Sequence, residues 1–319
     1  MKPLKIKVIT QPSFVSFNFI TQKWVHYMNL RDDVIATMYY FTDNYYKNTD
    51  VTILHEAVVV LEHFKPDRQR DGVIVCAEVS DTDRVSDKMA TVLNENCDLV
   101  ITPTEFSAWG LKRGGVYVPI HVVPHGCDLP LIERTDKKIG FYVSITNEQF
   151  VRKGSYIALE VMNKINYPKV VKIFPDSLDF KIPNAEILGK LENMLDFYKK
   201  IAIYVLPVLG GAFELTALEA LFTGAIVITT DHPIFSQLPT ITVKSIYTDR
   251  ISLPPHLLEY HVGGGYVPVM EDLIDKINYV YQNYEKEMNK LKRFLPKIRK
   301  VYHWQNVIEK MVKLFVDYA

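Results

Sequence analysis

The stretch PVLGGAFELTALEALFTGAIVITTDHP, residues 207–233, decides how this 319-residue chain is read. It parses as loop, helix, turn and strand. The Gly210-Gly211 pair frees the backbone just ahead of a helix, and Gly224 closes that helix before an apolar run at 225–228. A loop feeding a helix N-terminus offers unpaired N–H groups and the positive end of the helix dipole, which suit a phosphate. Thr216 and Glu219 are three residues apart and share a helix face. Glu219 then falls about one turn in from that phosphate, where its carboxylate can accept from the hydroxyls of a ribose. The same residues also fit an ordinary loop and helix of an α/β protein, with Glu219 in solvent.

Residues 213–231, FELTALEALFTGAIVITTD, resemble the Glu-x7-Glu segment of the retaining glycosyltransferases of family 4, which have the GT-B fold. In that pattern one Glu stands two residues before a Phe and a second stands six after it. Phe213 and Glu219 fit. The first Glu falls on Gly211, and Glu214 is the nearby substitute, three places out of register.

The length suits two domains, and 48% hydrophobic residues with an ordinary charged fraction describe a folded globular protein. A net charge of zero gives no support to wholesale nucleic-acid binding. Cys76, Cys97 and Cys127 are few, odd in number and not spaced as metal ligands, so they read as buried thiols of a reducing compartment. The N-terminal run is too short and interrupted for a signal peptide, and no apolar run approaches a membrane span. The expectation is a cytoplasmic protein.

Ahead of residue 130, the pattern predicts strands over 4–10, 34–41, 51–54, 72–77, 98–102 and 120–123. Helices are predicted over 19–30, 84–96 and 105–113. Apolar strands alternating with helices argue for a parallel sheet covered on both faces, with ligands at the C-terminal strand ends. CDLVITPTEFS (97–107) and PIHVVPHGCD (119–128) resemble the end of the family's N-terminal domain and the turn leading into its second. His125 reads as a turn residue. The family often has a Gly-Gly loop after its first strand, where this chain has SFVS at 13–16. Many members have a His after the fourth strand, where this chain has AEVSD at 77–81, making Glu78 the nearest match. The competing role for Glu78 is a strand-end carboxylate capping a turn. Asp81-Thr-Asp83 is a weak metal-diphosphate pattern and is read as capping the helix that follows. His55 is read as a structural histidine.

In the second half, a strand at 139–145 leads through TNEQFVRKG (146–154) into a helix to about residue 165. Lys153-Gly154 matches the family's Lys-Gly, whose lysine meets the donor diphosphate. The family's partner arginine would fall on Asn147 or Glu148, and Arg152 is the nearest replacement. A solvated loop is the plain alternative for Arg152-Lys153. Strands at 170–174, 185–191 and 201–206, with a helix at 194–198, resemble the family's approach to the donor loop. The segment at Gly189 is where the base rests in the family, read by backbone, so uracil and guanine are not separated. A late strand covers 241–243. GGGYVPVMED (263–272) reads as a flexible connector before a long helix. Residues 285–300 alternate Lys and Arg with Leu, Phe and Ile, which fits a solvated face or weak contact with an anionic membrane surface. Pro296 is expected to break that helix. Trp304 and the helix to about 318 resemble the family's terminal helix.

The resemblance runs nearly the length of the chain, in order. It implies an α/β protein of two doubly wound Rossmann-like domains facing across a cleft. The expected division is an acceptor-side domain at 1–128, a nucleotide-sugar domain at 129–302, and a terminal helix at 303–319 packing back on the first. The implied reaction moves a sugar from a UDP- or GDP-sugar to an acceptor hydroxyl (glycan, lipid or protein) with retention, with no metal or further cofactor. Glu78, Lys153 and Glu214 are the candidate catalytic residues. The candidate donor-binding set is Arg152, Lys153, Gly189, Gly211, Phe213, Glu214, Leu215, Thr216 and Glu219. The missing glycine loop, arginine and first glutamate leave open a degenerate, non-catalytic nucleotide-sugar-binding subunit of a glycosylation complex.

Overall fold

The computed structural model describes residues 2–12, 15–43, 48–134, 136–175, 181–253 and 255–319. Two compact units divide the chain: residues 1–126 with 301–319, and residues 127–300.

In the first unit, β1 (Leu4–Thr10), α1 (Val15–Met28), β2 (Val34–Tyr40), β3 (Val51–His55), α2 (Ala57–Leu61), α3 (Arg68–Asp71) and β4 (Val73–Ala77) come first. They are followed by α4 (Asp87–Asn96), β5 (Leu99–Thr102), α5 (Glu105–Arg113) and β6 (Ile120–Val122). All strand pairings are parallel, in the order β2-β1-β3-β4-β5-β6. The central strands are apolar runs because both faces are covered; every residue of β3 and β5 is buried. α5 starts where Thr104 accepts from the Ser107 N–H, carries Glu105 in its first turn, and ends with Lys112 and Arg113 opposite the dipole.

The second unit contains β7 (Ile139–Ser144), α6 (Asn147–Phe150), α7 (Ser155–Lys164), β8 (Lys169–Phe174), β9 (Ala185–Leu188) and α8 (Leu195–Tyr198). Next come β10 (Ile203–Leu206), α9 (Leu215–Phe222), β11 (Ile226–Thr230), β12 (Ile241–Val243), β13 (Ser245–Thr248), α10 (Pro255–Leu258), β14 (Gly265–Pro268) and α11 (Met270–Gln282). The chain closes with α12 (Tyr284–Tyr302) and α13 (Trp304–Tyr318). The second sheet is also parallel, ordered β12-β11-β10-β7-β8-β9. α13 belongs to the first unit and lies on α1. It buries Trp304, Val307, Ile308, Met311, Val312 and Phe315, an i, i+3, i+4 stripe. Among the described residues, no helix is long and apolar enough to cross a membrane.

Several sequence expectations are corrected. Cys76 and Cys97 are not free thiols but a disulfide, with Cα atoms 5.8 Å apart. β4 pairs with β5, and Cys97 sits at the end of α4 just ahead of β5, a proximity that a separation of 21 residues does not reveal. Cys127 is the buried free thiol. Pro296 does not end its helix: α12 runs through it because Leu291, Leu295 and Ile298 keep one face buried on both sides. Asp81 and Asp83 do not cap α4. Ser86 does, accepting from the Met89 N–H, while Asp83 pairs with Arg113. The glycine-rich connector ends in a strand, since β14 pairs antiparallel with β13. Ser13 and Phe14, where the family's glycine loop would fall, lie outside the described residues, as do the side chains of Val15, Asn147 and Glu148.

A fully buried ion pair underlies the first sheet. Lys7 Nζ donates to Asp71 Oδ1 at 2.5 Å, both side chains essentially without solvent contact. Arg70 and the Asp67 N–H also donate to Asp71. Removing one partner strands the other charge. Asp71→Ala is therefore expected to lower unfolding free energy by about 3 to 5 kcal/mol. Urea denaturation of the two proteins checks it.

Candidate functional site

Ligands of open parallel sheets bind beyond the strand ends where neighbouring connections leave in opposite directions. In the second sheet, that point lies between β7 and β10: the chain after β7 runs to β8 on one side, and the chain after β10 runs to β11 on the other. The loop after β7 carries Arg152, Lys153 and Gly154. The loop after β10 is the stretch from Pro207 to Glu214.

These two loops are fastened through main-chain atoms. Gly154 has φ +66°, and a Cβ on it would collide with the Pro207 carbonyl oxygen. The Leu209 N–H donates to the Arg152 carbonyl at 2.8 Å, and the Leu209 carbonyl accepts from the Tyr266 N–H on β14 at 2.8 Å. Both polar groups of Leu209 are thus held, one by each neighbour.

Charged side chains converge on Gly211. Lys153 Nζ donates to both oxygens of Glu214, at 2.5 and 2.7 Å. Arg152 is buried, with Nη2 donating to Gln149 Oε1 at 2.8 Å and Nη1 facing the Gly210 carbonyl at 3.4 Å. A Cβ at Gly211, where φ is +152°, would stand 2.9 Å from Glu214 Oε1 and 3.3 Å from Arg152 Nη1. The carboxylate of Glu214 thus fills the space into which a side chain at 211 would project. Among the described residues, Arg152, Lys153 and Glu214 gather here, adjoining the N-terminus of α9. Glu214 occupies the N-cap position of α9 without capping it through its side chain.

Further along α9, Glu219 is half-buried rather than a freely solvated carboxylate. Its Oε2 accepts from the Tyr198 hydroxyl at 2.6 Å, and Tyr198 is fully buried. Burial, then the charge of Glu219, holds the Tyr198 phenol protonated far above its ordinary range. The fully buried Tyr204 lies close to Thr216, its phenol pushed well above the ordinary range by burial. The shared face of Thr216 and Glu219 thus backs onto two buried tyrosines. Phe213, Leu215 and Thr216 are half-buried around the start of α9. Gly189 lies apart from this group, exposed just past β9, with open space where a side chain would begin.

Glu78 belongs to the first unit, past β4, one strand over from the corresponding point of its sheet. Connections diverge there between β1 and β3. Glu78 is buried past the end of β4; its Oε2 accepts from the Val58 N–H and its Oε1 from the Val79 N–H, each at 2.9 Å. Burial pushes its pKa up to about 7, opposed by these backbone donors. Beside it stands Glu56, with φ +62°, in hydrogen-bond contact with Gln11 at the end of β1. Burial, then the charges of Glu78 and Asp81, pushes Glu56 up to about 9. The sequence reading passed over Glu56; its one visible signal was its place directly after strand residue His55. His55 is buried, 2.6 Å from Thr21 Oγ1 and 4.4 Å from the Trp24 ring. Burial lowers the pKa of His55 and His125, the latter to about 3.

The fold that emerges is the two-domain Rossmann-like architecture of GT-B glycosyltransferases. A family model for "Glycosyl transferases group 1" matches residues 168–243, from β8 to β12 with α9 inside the span. An uncharacterised protein of Sulfolobus islandicus rod-shaped virus 1 is 26% identical, the alignment covering 87% of this chain and 88% of that protein. A protein of Sulfolobus islandicus filamentous virus, provisionally designated glycosyltransferase 45, is 24% identical over 77% of this chain and 74% of its own length. Among solved structures, sucrose-phosphate synthase from Thermosynechococcus elongatus superposes with a TM-score of 0.71, covering 98% of each chain at 11% identity. Residues 168–243 thus resemble a group 1 glycosyltransferase domain, and the fold is the one that GT-B glycosyltransferases share.

Two predictions follow from this geometry. Gly154→Ala must adopt a left-handed conformation and displace the Pro207 carbonyl, so it costs at least about 1 kcal/mol; thermal denaturation reads the loss. Between pH 4.5 and 9, folded Glu56 keeps a proton that the unfolded chain has released, so stability falls as pH rises through that window. Glu56→Gln is expected to flatten that part of the profile, measured by urea denaturation at a series of pH values.

Proposed function

We propose that this chain transfers a sugar from a UDP- or GDP-sugar to an acceptor hydroxyl with retention of configuration. The observation that carries the proposal is the convergence of Arg152, Lys153 and Glu214 on Gly211 at the divergence point of the second sheet. In such a transfer the bond from the anomeric carbon to the diphosphate oxygen breaks, and a bond to the acceptor oxygen forms. Charge collects on the departing diphosphate, which takes up the acceptor proton. Lys153, Arg152 and the start of α9 stabilise that charge. Glu214 aims the lysine amine, in the space that the missing side chain at 211 leaves. Glu219, braced by Tyr198, holds the ribose. The backbone past β9 at Gly189 receives the base. Glu78, with a pKa near neutrality, is the first unit's contribution on the acceptor side. No metal or further cofactor enters this scheme.

Gly211 itself favours a second reading. A glycine where the family pattern has its first glutamate, and a lysine already paired with Glu214, also suit a subunit that binds nucleotide sugars without turning them over.

Release of free UDP or GDP from candidate sugar nucleotides, chosen by thermal shift, separates the two. For a transferase, Lys153→Ala is expected to lower turnover about 100-fold or more. Glu219→Ala is expected to weaken donor binding about 10-fold or more, the worth of a hydrogen bond to a charged group. Unchanged behaviour in both variants overturns the site. Donor binding without release of nucleotide in the presence of any acceptor selects the non-catalytic reading.

A further inference from the structure

α12 is 19 residues long and two-sided. Met288, Leu291, Leu295 and Ile298 are buried against the protein. On the opposite side, Lys286, Lys290, Arg293, Lys297 and Lys300 recur at intervals of four, three, four and three residues, all exposed. That spacing keeps them on one stripe of the helix, about 21 Å from first to last. Phe294 stands beside the stripe with 52% of its surface exposed. Glu285 is the exposed acid of α12, and it lies well off the stripe. Glu287 is buried and tethers Lys290 from the flank at 2.7 Å, an exposed contact that does little to neutralise the stripe. The chain as a whole has no net charge, so this concentration of cations is local.

We infer that α12 is a docking surface for an anionic lipid bilayer. A straight row of cations meets a planar anionic surface with all five charges at once. The exposed phenyl ring beside them suits the apolar boundary beneath the headgroups. A nucleic acid would also attract the charge. Phe294, however, is the one exposed aromatic ring on the helix face and offers no succession of stacking platforms, so the bilayer is favoured. The inference is independent of which sugar, if any, the chain transfers.

The test is co-sedimentation of the full chain with vesicles of phosphatidylcholine, alone or mixed equally with phosphatidylglycerol. Expected is binding to the mixed vesicles only, weakening steeply with added salt. Each charge removed from the stripe should weaken partitioning about five-fold. Lys290→Glu/Arg293→Glu/Lys297→Glu is then expected to abolish binding, and Phe294→Ala to reduce it several-fold. Lys181→Glu/Lys199→Glu/Lys244→Glu, which alters net charge equally on the same unit, is expected to bind as wild type. Circular dichroism establishes that each variant is folded, and Arg293→Gln/Lys297→Gln replaces the triple reversal should that protein fail to fold. Binding that ignores lipid charge, absence of binding at low salt, equal loss in the control variant, or capture by a DNA duplex without capture by anionic vesicles would each overturn the inference.

Discussion

The candidate donor site depends on a contact that involves no side chain. Gly154 lies directly against the Pro207 carbonyl, and the Leu209 N–H reaches back to Arg152. This contact fastens two loops that leave adjacent strands in opposite directions. Lys153 follows Arg152 in that turn, so its amine has little choice of where to go, and it meets Glu214. Without the fastening, Lys153 would be one more surface lysine, and the pairing would be a long-range accident. Sheet topology supplies the divergence, and the left-handed glycine makes it close.

The first unit uses the same topological opening for different chemistry. There the carboxyls of Glu56 and Glu78 stand just past β3 and β4, with the Gln11 amide past β1 donating to Glu56. Burial opposes ionisation of these acids, whereas the second unit's site sets Arg152 and Lys153 around Glu214. One sheet end thus gathers buried acids and the other gathers cations around one carboxylate among the described residues. Sulfur chemistry adds to the difference, since the Cys76–Cys97 disulfide ties β4 to the end of α4, two residues before Glu78 in the chain.

Much of the architecture was legible because parallel strands buried on both faces write themselves as apolar runs. The segments at 4–10, 105–113 and 241–243 were read with the bounds that the structure has. Lys153 and Glu219 were reached through a family pattern, and Glu214 by asking what stood near a gap in it. What could not be read was whatever depends on neighbours distant in sequence. The pairing of Lys7 with Asp71, the partnership of Tyr198 with Glu219, the disulfide and the proton-holding character of Glu56 all join residues whose local sequence gives no hint of a partner. Pro296 misled for the opposite reason. Its local rule is strong, but the buried face on either side of it outweighs the loss of one backbone hydrogen bond.

The Tyr266 N–H that holds the Leu209 carbonyl belongs to a strand more than fifty positions downstream. Almost any residue except proline can present that amide. Selection for this brace therefore acts on the path of the chain and leaves the alphabet nearly free. Two homologues could preserve the brace faithfully while sharing no letters there, and an alignment would score the region as drift. For a protein whose relatives retain about a quarter of its residues, the most constrained part of the scaffold can be the part least visible in sequence comparison.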